Sequence, residues 1–226
     1  MKLLLDTANL ETIRALLPYM PICGFTTNPS ILARESENVK ETVAALVELT
    51  EGWRMLHIQM TADRAEEIFR QAQAVRAVVG ENFYAKIPMT LDGLRAVSLC
   101  KAEGIHTTVT AVFTPMQALC AAEAGADFVA PYVDRLDNIT SDGAYVVREI
   151  VELFQLHQLS TQVLAASFKN VQQVYNAAAA GAHTATVTGE LCRKLIFHPY
   201  TDKSLHDFNA DWRGRFGDRE IDELLR

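Results

Sequence analysis

Residues 83–110 read FYAKIPMTLDGLRAVSLCKAEGIHTTVT. The apolar run 83–87 has the length of a strand. Thr90 offers a helix N-cap, Gly93 follows it, and 91–102 carries helical spacing. A second short apolar run, 106–110, comes next. This is one strand–helix–strand unit, the building block of a parallel sheet.

The same unit repeats along the chain. Short apolar runs lie at 3–6, 22–26, 55–59, 83–87, 106–110, 128–132, 162–167 and 184–187. Their last polar positions, Asp6, Thr26, Gln59, Lys86, Thr110, Tyr132, Ser167 and Thr186, recur about every 26 residues, room for one strand, one helix and two loops. Amphipathic stretches fill the gaps at 10–17, 39–49 and 62–79. Gly125 and Gly181, each flanked by alanine, read as residues just past a helix end that leads into the next strand. Eight such repeats predict a single α/β domain, a (β/α)8 TIM barrel, a fold of roughly 250 residues. A doubly wound open sheet is the rival. It usually carries a glycine-rich phosphate loop after its first strand, and here that loop reads Asp6-Thr7-Ala8-Asn9. No linker divides the 226 residues, so one domain over 1–226 is expected. An extra helix at 202–213 follows the eighth repeat, with Leu205, Phe208 and Trp212 on one face. That stripe packs either on its own barrel or on a neighbouring subunit.

Composition narrows the class. Apolar residues make up 49% and charged residues 22%, which excludes a disordered chain, a collagen-like fibre and a coiled coil. Lys plus Arg is 21 against 28 acids, a net charge of −7 with no basic run, so nucleic acid is not an expected partner. No stretch suits a membrane helix, and Met1-Lys2-Leu3-Leu4-Leu5-Asp6 is not a signal peptide. Cys23, Cys100, Cys120 and Cys192 form no CxxC pair and suit a reducing, cytoplasmic setting. The six histidines make no HExxH pair, so no metal is expected, and no GxSxG elbow marks a nucleophilic serine. No GxGxxG or Walker motif occurs, and no cofactor is expected.

Barrel chemistry comes from the C-terminal strand ends. Phe83, Ala85 and Ile87 share one face of their strand, which turns Lys86 to the other, inward face. Of seven lysines it alone stands inside an apolar run. Burial disfavours the charged amine, and a neutral amine attacks ketones to form a Schiff base. The bland alternative is a lysine paired with Asp6 for stability. Around Lys86 the strand ends offer Asp6, Thr26, Gln59, Thr110 and Tyr132, with Asn28 just past the second strand. Together they suit proton transfer through a held water. Ser167, Arg135 and Lys169 follow the sixth and seventh strands, near where barrels often bind phosphate. A surface ion pair with Asp134 or Asp137 is the alternative for Arg135.

Five stretches then carry a family likeness: Asp6-Thr7-Ala8-Asn9, Gly24-Phe25-Thr26-Thr27-Asn28-Pro29-Ser30, Lys86-Ile87-Pro88, Ala130-Pro131-Tyr132-Val133 and Ala165-Ala166-Ser167-Phe168-Lys169. In order and spacing they resemble the small transaldolase family, which includes short transaldolases and fructose-6-phosphate aldolase. The resemblance runs over nearly the whole chain. It implies a class I, metal-free aldol mechanism on a sugar phosphate. Lys86 would be the Schiff-base lysine, and Asp6 and Asn28 would hold donor hydroxyls. Arg135, Ser167 and Lys169 would hold the substrate phosphate. Within the family, transaldolases carry glutamate and usually phenylalanine where this chain has Gln59 and Tyr132, so both positions lean to aldolase. Val109 replaces a glycine of close aldolase relatives, and 184–189 lacks their leucine-proline pattern. The resemblance also implies a homo-oligomer, a pentamer or decamer, whose C-terminal helix reaches a neighbour. The expected activity is cleavage of fructose 6-phosphate to dihydroxyacetone and glyceraldehyde 3-phosphate. The alternatives are a transaldolase and, in a different class, a sugar-phosphate-binding barrel without catalysis.

Overall fold

Each apolar run becomes a strand, and the eight strands close on themselves. The computed structural model describes residues 1–226. In chain order the elements are β1 (Lys2–Asp6), α1 (Leu10–Leu16), β2 (Ile22–Thr26), α2 (Pro29–Glu35), α3 (Val39–Leu49), β3 (Met55–Gln59), α4 (Ala65–Val79) and β4 (Phe83–Pro88). They continue with α5 (Leu91–Ala102), β5 (His106–Val112), α6 (Pro115–Glu123), β6 (Phe128–Pro131), α7 (Val133–Asp137), α8 (Gly143–Leu156), β7 (Gln162–Ala165), α9 (Val171–Ala179), β8 (Thr184–Val187) and α10 (Gly189–Lys194). All pairings are parallel and sequential, and β8 returns to β1, so this is a closed (β/α)8 barrel.

Strand alternation explains what faces where. In β4, Phe83, Ala85 and Ile87 are fully buried between sheet and helices, while Lys86 points to the interior. The lower interior is apolar, with Leu4, Phe128 and Leu164 packed against Cys23, Met55 and Tyr84. Above it the interior turns polar, with buried Thr26, His57, Thr108 and Thr186. Helix ends follow local rules. Thr90 caps α5 by accepting from the Gly93 N–H at 2.9 Å. Gly125 and Gly181 take φ of +99° and +92° just past α6 and α9, a conformation that costs other residues a Cβ clash.

Several boundaries differ from the sequence reading by one to three residues, and three of them, at the ends of β5, β6 and β7, shape the barrel rim. β5 runs on to Val112 through a bulge, where Ala111 takes φ +57° and the register with β6 slips. β6 ends at Pro131, and Tyr132 makes only an isolated bridge to Ala166. β7 ends at Ala165, two residues before Ser167, whose φ of +62° turns the chain out of the sheet.

The chain forms two compact units, 1–192 and 193–226. The first holds the barrel. The second holds α11 (Pro199–Phe216) and α12 (Ile221–Leu224). The helix expected over 202–213 is longer at both ends. Pro199 starts it at a position where no N–H is needed, and Gly217 stops it at φ +67°. No residue of α11 is buried, and Leu205 and Phe208 are exposed. Trp212 instead lies against Phe216, with ring centroids 4.7 Å apart, and donates its indole N–H to the Arg219 carbonyl at 2.8 Å. No helix is long and apolar enough to cross a membrane.

Candidate active site

The Thr26-Thr27-Asn28-Pro29 stretch shows how the local sequence builds the site. Thr26, the last residue of β2, points inward and donates to Asp6 Oδ1 at 2.6 Å. The next carbonyl, of Thr27, accepts from Lys86 Nζ at 2.8 Å. Asn28 then starts α2, its Oδ1 accepting from the Ile31 N–H at 2.9 Å, with Pro29 in the first turn. Four consecutive residues thus orient an acid, hold an amine and begin a helix.

Lys86 is 5% exposed. Burial pushes its amine pKa below the usual lysine value, and the Asp6 charge opposes that only in part. His57 lies in the same interior layer. It accepts from or donates to Thr108 Oγ1 through Nδ1 at 2.8 Å and stacks on Tyr84 at 4.6 Å. Its Nε2 has no partner. Burial, then the Lys86 charge, hold its pKa well below the usual histidine value, so the imidazole is neutral. A neutral ring beside the amine adds no positive charge to the interior.

A cavity of about 180 Å³ opens at the C-terminal mouth. Of the residues picked from the sequence, Asp6, Asn28, Lys86, Tyr132, Arg135, Ser167 and Lys169 line it. The other three stand one contact behind. Thr26 bonds Asp6, Thr110 Oγ1 lies 3.0 Å from the Tyr132 hydroxyl, and Gln59 sits beside Lys86 in the β3–β4 register. The structure refines Asn28: its oxygen is committed to capping α2, which leaves its amide N–H groups for a ligand.

The sequence reading missed the roles of Thr27, His57 and Thr186. Thr186 lines the cavity and lies 2.6 Å from Thr26 Oγ1. It was visible as the polar end of the eighth strand. Thr27 acts through its carbonyl and left no side-chain signal.

Arg135 makes no ion pair with Asp134 or Asp137. Both acids are bonded elsewhere, to Gln173, Asn138 and the Gly143 N–H. The guanidinium instead lies over the Tyr132 ring, 5.0 Å from its centroid. Lys169 also has no acid partner. Two cations at the mouth of a chain with net charge −7 are therefore left without acid partners. A larger cavity of about 510 Å³ lies at the opposite mouth, lined by Lys2, Tyr84, Asp127 and Gln162 among others. It holds no Lys86, and barrel chemistry sits at the other end.

Fold and site together define an enzyme barrel built around an interior lysine. The sequence pattern of the transaldolase/fructose-6-phosphate aldolase family matches residues 3–222, and the chain belongs to that family. It is 41% identical to a probable transaldolase of Alkaliphilus metalliredigens over 214 residues, 95% of this chain and 99% of the relative. A probable transaldolase of Pelotomaculum thermopropionicum is 40% identical over 212 residues, 94% of this chain and 97% of that one. Among solved structures, one described as native KDPGal superposes with a TM-score of 0.60 at 11% identity, covering 83% of this chain and 82% of that one. A mandelate oxidase variant superposes at 0.58 and 14% identity, covering 84% and 65%. These structural likenesses speak to the fold alone.

Proposed function

We propose that the chain is a Schiff-base aldolase that cleaves, or forms, fructose 6-phosphate. The observation that carries this is the Lys86 amine, buried, lowered in pKa and facing a small cavity rimmed by Arg135 and Lys169. Lys86 Nζ adds to the C2 ketone, and loss of water gives the imine. Removal of the C4 hydroxyl proton breaks the C3–C4 bond and releases glyceraldehyde 3-phosphate. The two electrons remain as an enamine. Protonation at C3 and addition of water to the imine then free dihydroxyacetone and restore the amine. Asp6, oriented by Thr26, and the Asn28 amide hold the donor hydroxyls. Thr110 and the Tyr132 hydroxyl hold the water that moves protons. Arg135, Ser167 and Lys169 hold the phosphate.

A second reading, a transaldolase that passes the three-carbon unit to another aldehyde, is favoured by the relatives' names. Gln59 and Tyr132 favour cleavage. An amide beside Lys86 orients water but takes no proton. A tyrosine hydroxyl gives the enamine a proton path. Fructose 6-phosphate, assayed with and without erythrose 4-phosphate, separates the two. Free glyceraldehyde 3-phosphate without acceptor marks the aldolase. Sedoheptulose 7-phosphate formed only with acceptor marks the transaldolase. Gln59→Glu is expected to raise the ratio of transfer to cleavage several-fold, because a carboxylate can serve as a base. An unchanged ratio removes Gln59 from the choice.

The same reading includes a homo-oligomer, pentameric or decameric, in the cytoplasm. The absence of any disulfide suits a reducing compartment. Exposed Leu205 and Phe208 give α11 an uncovered apolar surface. Light scattering on protein truncated after Pro199 is expected to show smaller particles. Full-size assemblies without the helix would give the stripe another role.

A further inference from the structure

Gln173 carries an inference that rests on the phosphate reading above. It lies in the first turn of α9, 8% exposed, behind the cavity wall. A glutamine amide has one acceptor oxygen and two N–H donors. All are used here. Oε1 accepts from the Lys169 N–H at 2.7 Å. Nε2 donates to Asp134 Oδ1 at 3.1 Å and to Asp137 Oδ2 at 2.8 Å. The partners fix which amide atom is which, since carboxylates need donors and an N–H needs an acceptor. The remaining acid oxygens take Asn138 Nδ2 at 3.0 Å and the Gly143 N–H at 2.9 Å.

Arg135 stands between these two acids on α7. The carboxylates one and two residues away are the acids nearest to it in sequence. Both are turned onto Gln173, and the guanidinium stays over Tyr132 without an acid. The same amide anchors the main chain of Lys169, the second cation of the rim. One side chain thus sets both cations of the mouth.

We propose that Gln173 is a positioning residue for the phosphate subsite. Its amide holds Asp134 and Asp137 away from Arg135 and fixes Lys169 beside it, which keeps the site open to a phosphorylated aldehyde. Leucine at 173 would offer no donor, and the released carboxylates would compete with phosphate for the guanidinium.

Gln173→Leu is expected to raise KM for glyceraldehyde 3-phosphate about tenfold, the loss of a charge-assisted contact. With free glyceraldehyde, kcat and KM are expected to stay within about twofold, which also shows that the barrel is folded. Adding Asp134→Asn and Asp137→Asn to Gln173→Leu removes the competing charges and is expected to restore most of the preference for phosphate. A merely structural role for Gln173 would not be rescued this way. Arg135→Ala, measured in parallel, reads the subsite itself. If it leaves KM for the phosphorylated aldehyde unchanged, the phosphate reading fails. If it raises KM while Gln173→Leu does not, or the triple variant shows no rescue, the reading stands and the role given to Gln173 is overturned. Should Gln173→Leu not fold, Gln173→Met replaces it, since it keeps an unbranched stem and likewise offers no donor to Asp134 or Asp137. The same rise in KM for the phosphorylated aldehyde is expected. An unchanged KM overturns the proposal.

Discussion

Lys86→Met abolishes turnover of fructose 6-phosphate while the barrel stays folded. Methionine keeps a long unbranched stem and removes the only amine of the interior layer. Loss of covalent catalysis raises the barrier by several kcal/mol, and each ~1.4 kcal/mol is a factor of ten in rate. Retention of even a tenth of wild-type kcat would dismiss Lys86 as the nucleophile. The covalent step has its own readout. Borohydride with dihydroxyacetone is expected to fix one adduct on wild type and none on the variant, whereas a sugar-binding barrel without catalysis would give none on either. The melting temperature separates lost chemistry from lost structure. The folded-state pKa of Lys86 lies below its usual value because burial penalises the ammonium. The charge therefore costs the fold stability in full below the folded-state pKa, and that cost shrinks as pH rises from the folded to the unfolded lysine pKa and is gone above it. Removing the amine removes the cost. It also strands the Thr27 carbonyl, which accepts from Nζ at 2.8 Å. The two effects oppose, so the variant should melt within a few degrees of wild type at neutral pH.

Arg135→Ala raises KM for phosphorylated aldehydes ten- to hundredfold and leaves free glyceraldehyde nearly untouched. A charge-assisted hydrogen bond is worth roughly 1.5–3 kcal/mol, which sets that range. The prediction leans on an unusual placement: an arginine between two aspartates that pairs with neither. Lys169 remains in the variant and sets a floor under the loss. The guanidinium also covers the Tyr132 ring, so its removal can loosen the hydroxyl that meets Thr110. That effect would lower kcat for both aldehydes equally. An equal loss on both would assign Arg135 to the tyrosine rather than to phosphate.

The barrel was legible because each strand is a short apolar run and each helix has a 3.6-residue period. What the pattern could not carry was the rim. α7 spans only five residues, too short for any period to register. β6 and β7 stop early because Tyr132 and Ser167 leave the sheet, while their side chains look like ordinary strand residues. Lys86 was legible for the same reason the strands were: a charge inside an apolar run has few bland explanations. Arg135 and Lys169 stood out as charges after strand ends, and the family likeness gave them a substrate group. The contacts of Thr27 and Gln173 left no local signal, because a carbonyl has no residue type and an amide bridge spans elements far apart in the chain. Asn28 shows the intermediate case. An asparagine just past a strand suits holding a hydroxyl, yet its oxygen begins a helix.

The hydrogen-bond row Asp6–Thr26–Thr186 has a direction and a date. Thr26 has one hydroxyl proton and gives it to Asp6, so Thr186 must supply the 2.6 Å contact to Thr26. Thr26 and Thr186 are 160 residues apart in sequence, and they meet only when β8 docks on β1. Such late, non-local closure is the slow part of folding a parallel barrel. The pocket therefore exists at no earlier moment in the life of the chain. A growing polypeptide on the ribosome can hold Lys86 within seven strands, with Asp6 already bonded to Thr26, and still lack the Thr186 hydroxyl that completes the row. Recovery of activity on refolding is therefore expected to follow the closing of the seam between β8 and β1 rather than the earlier collapse.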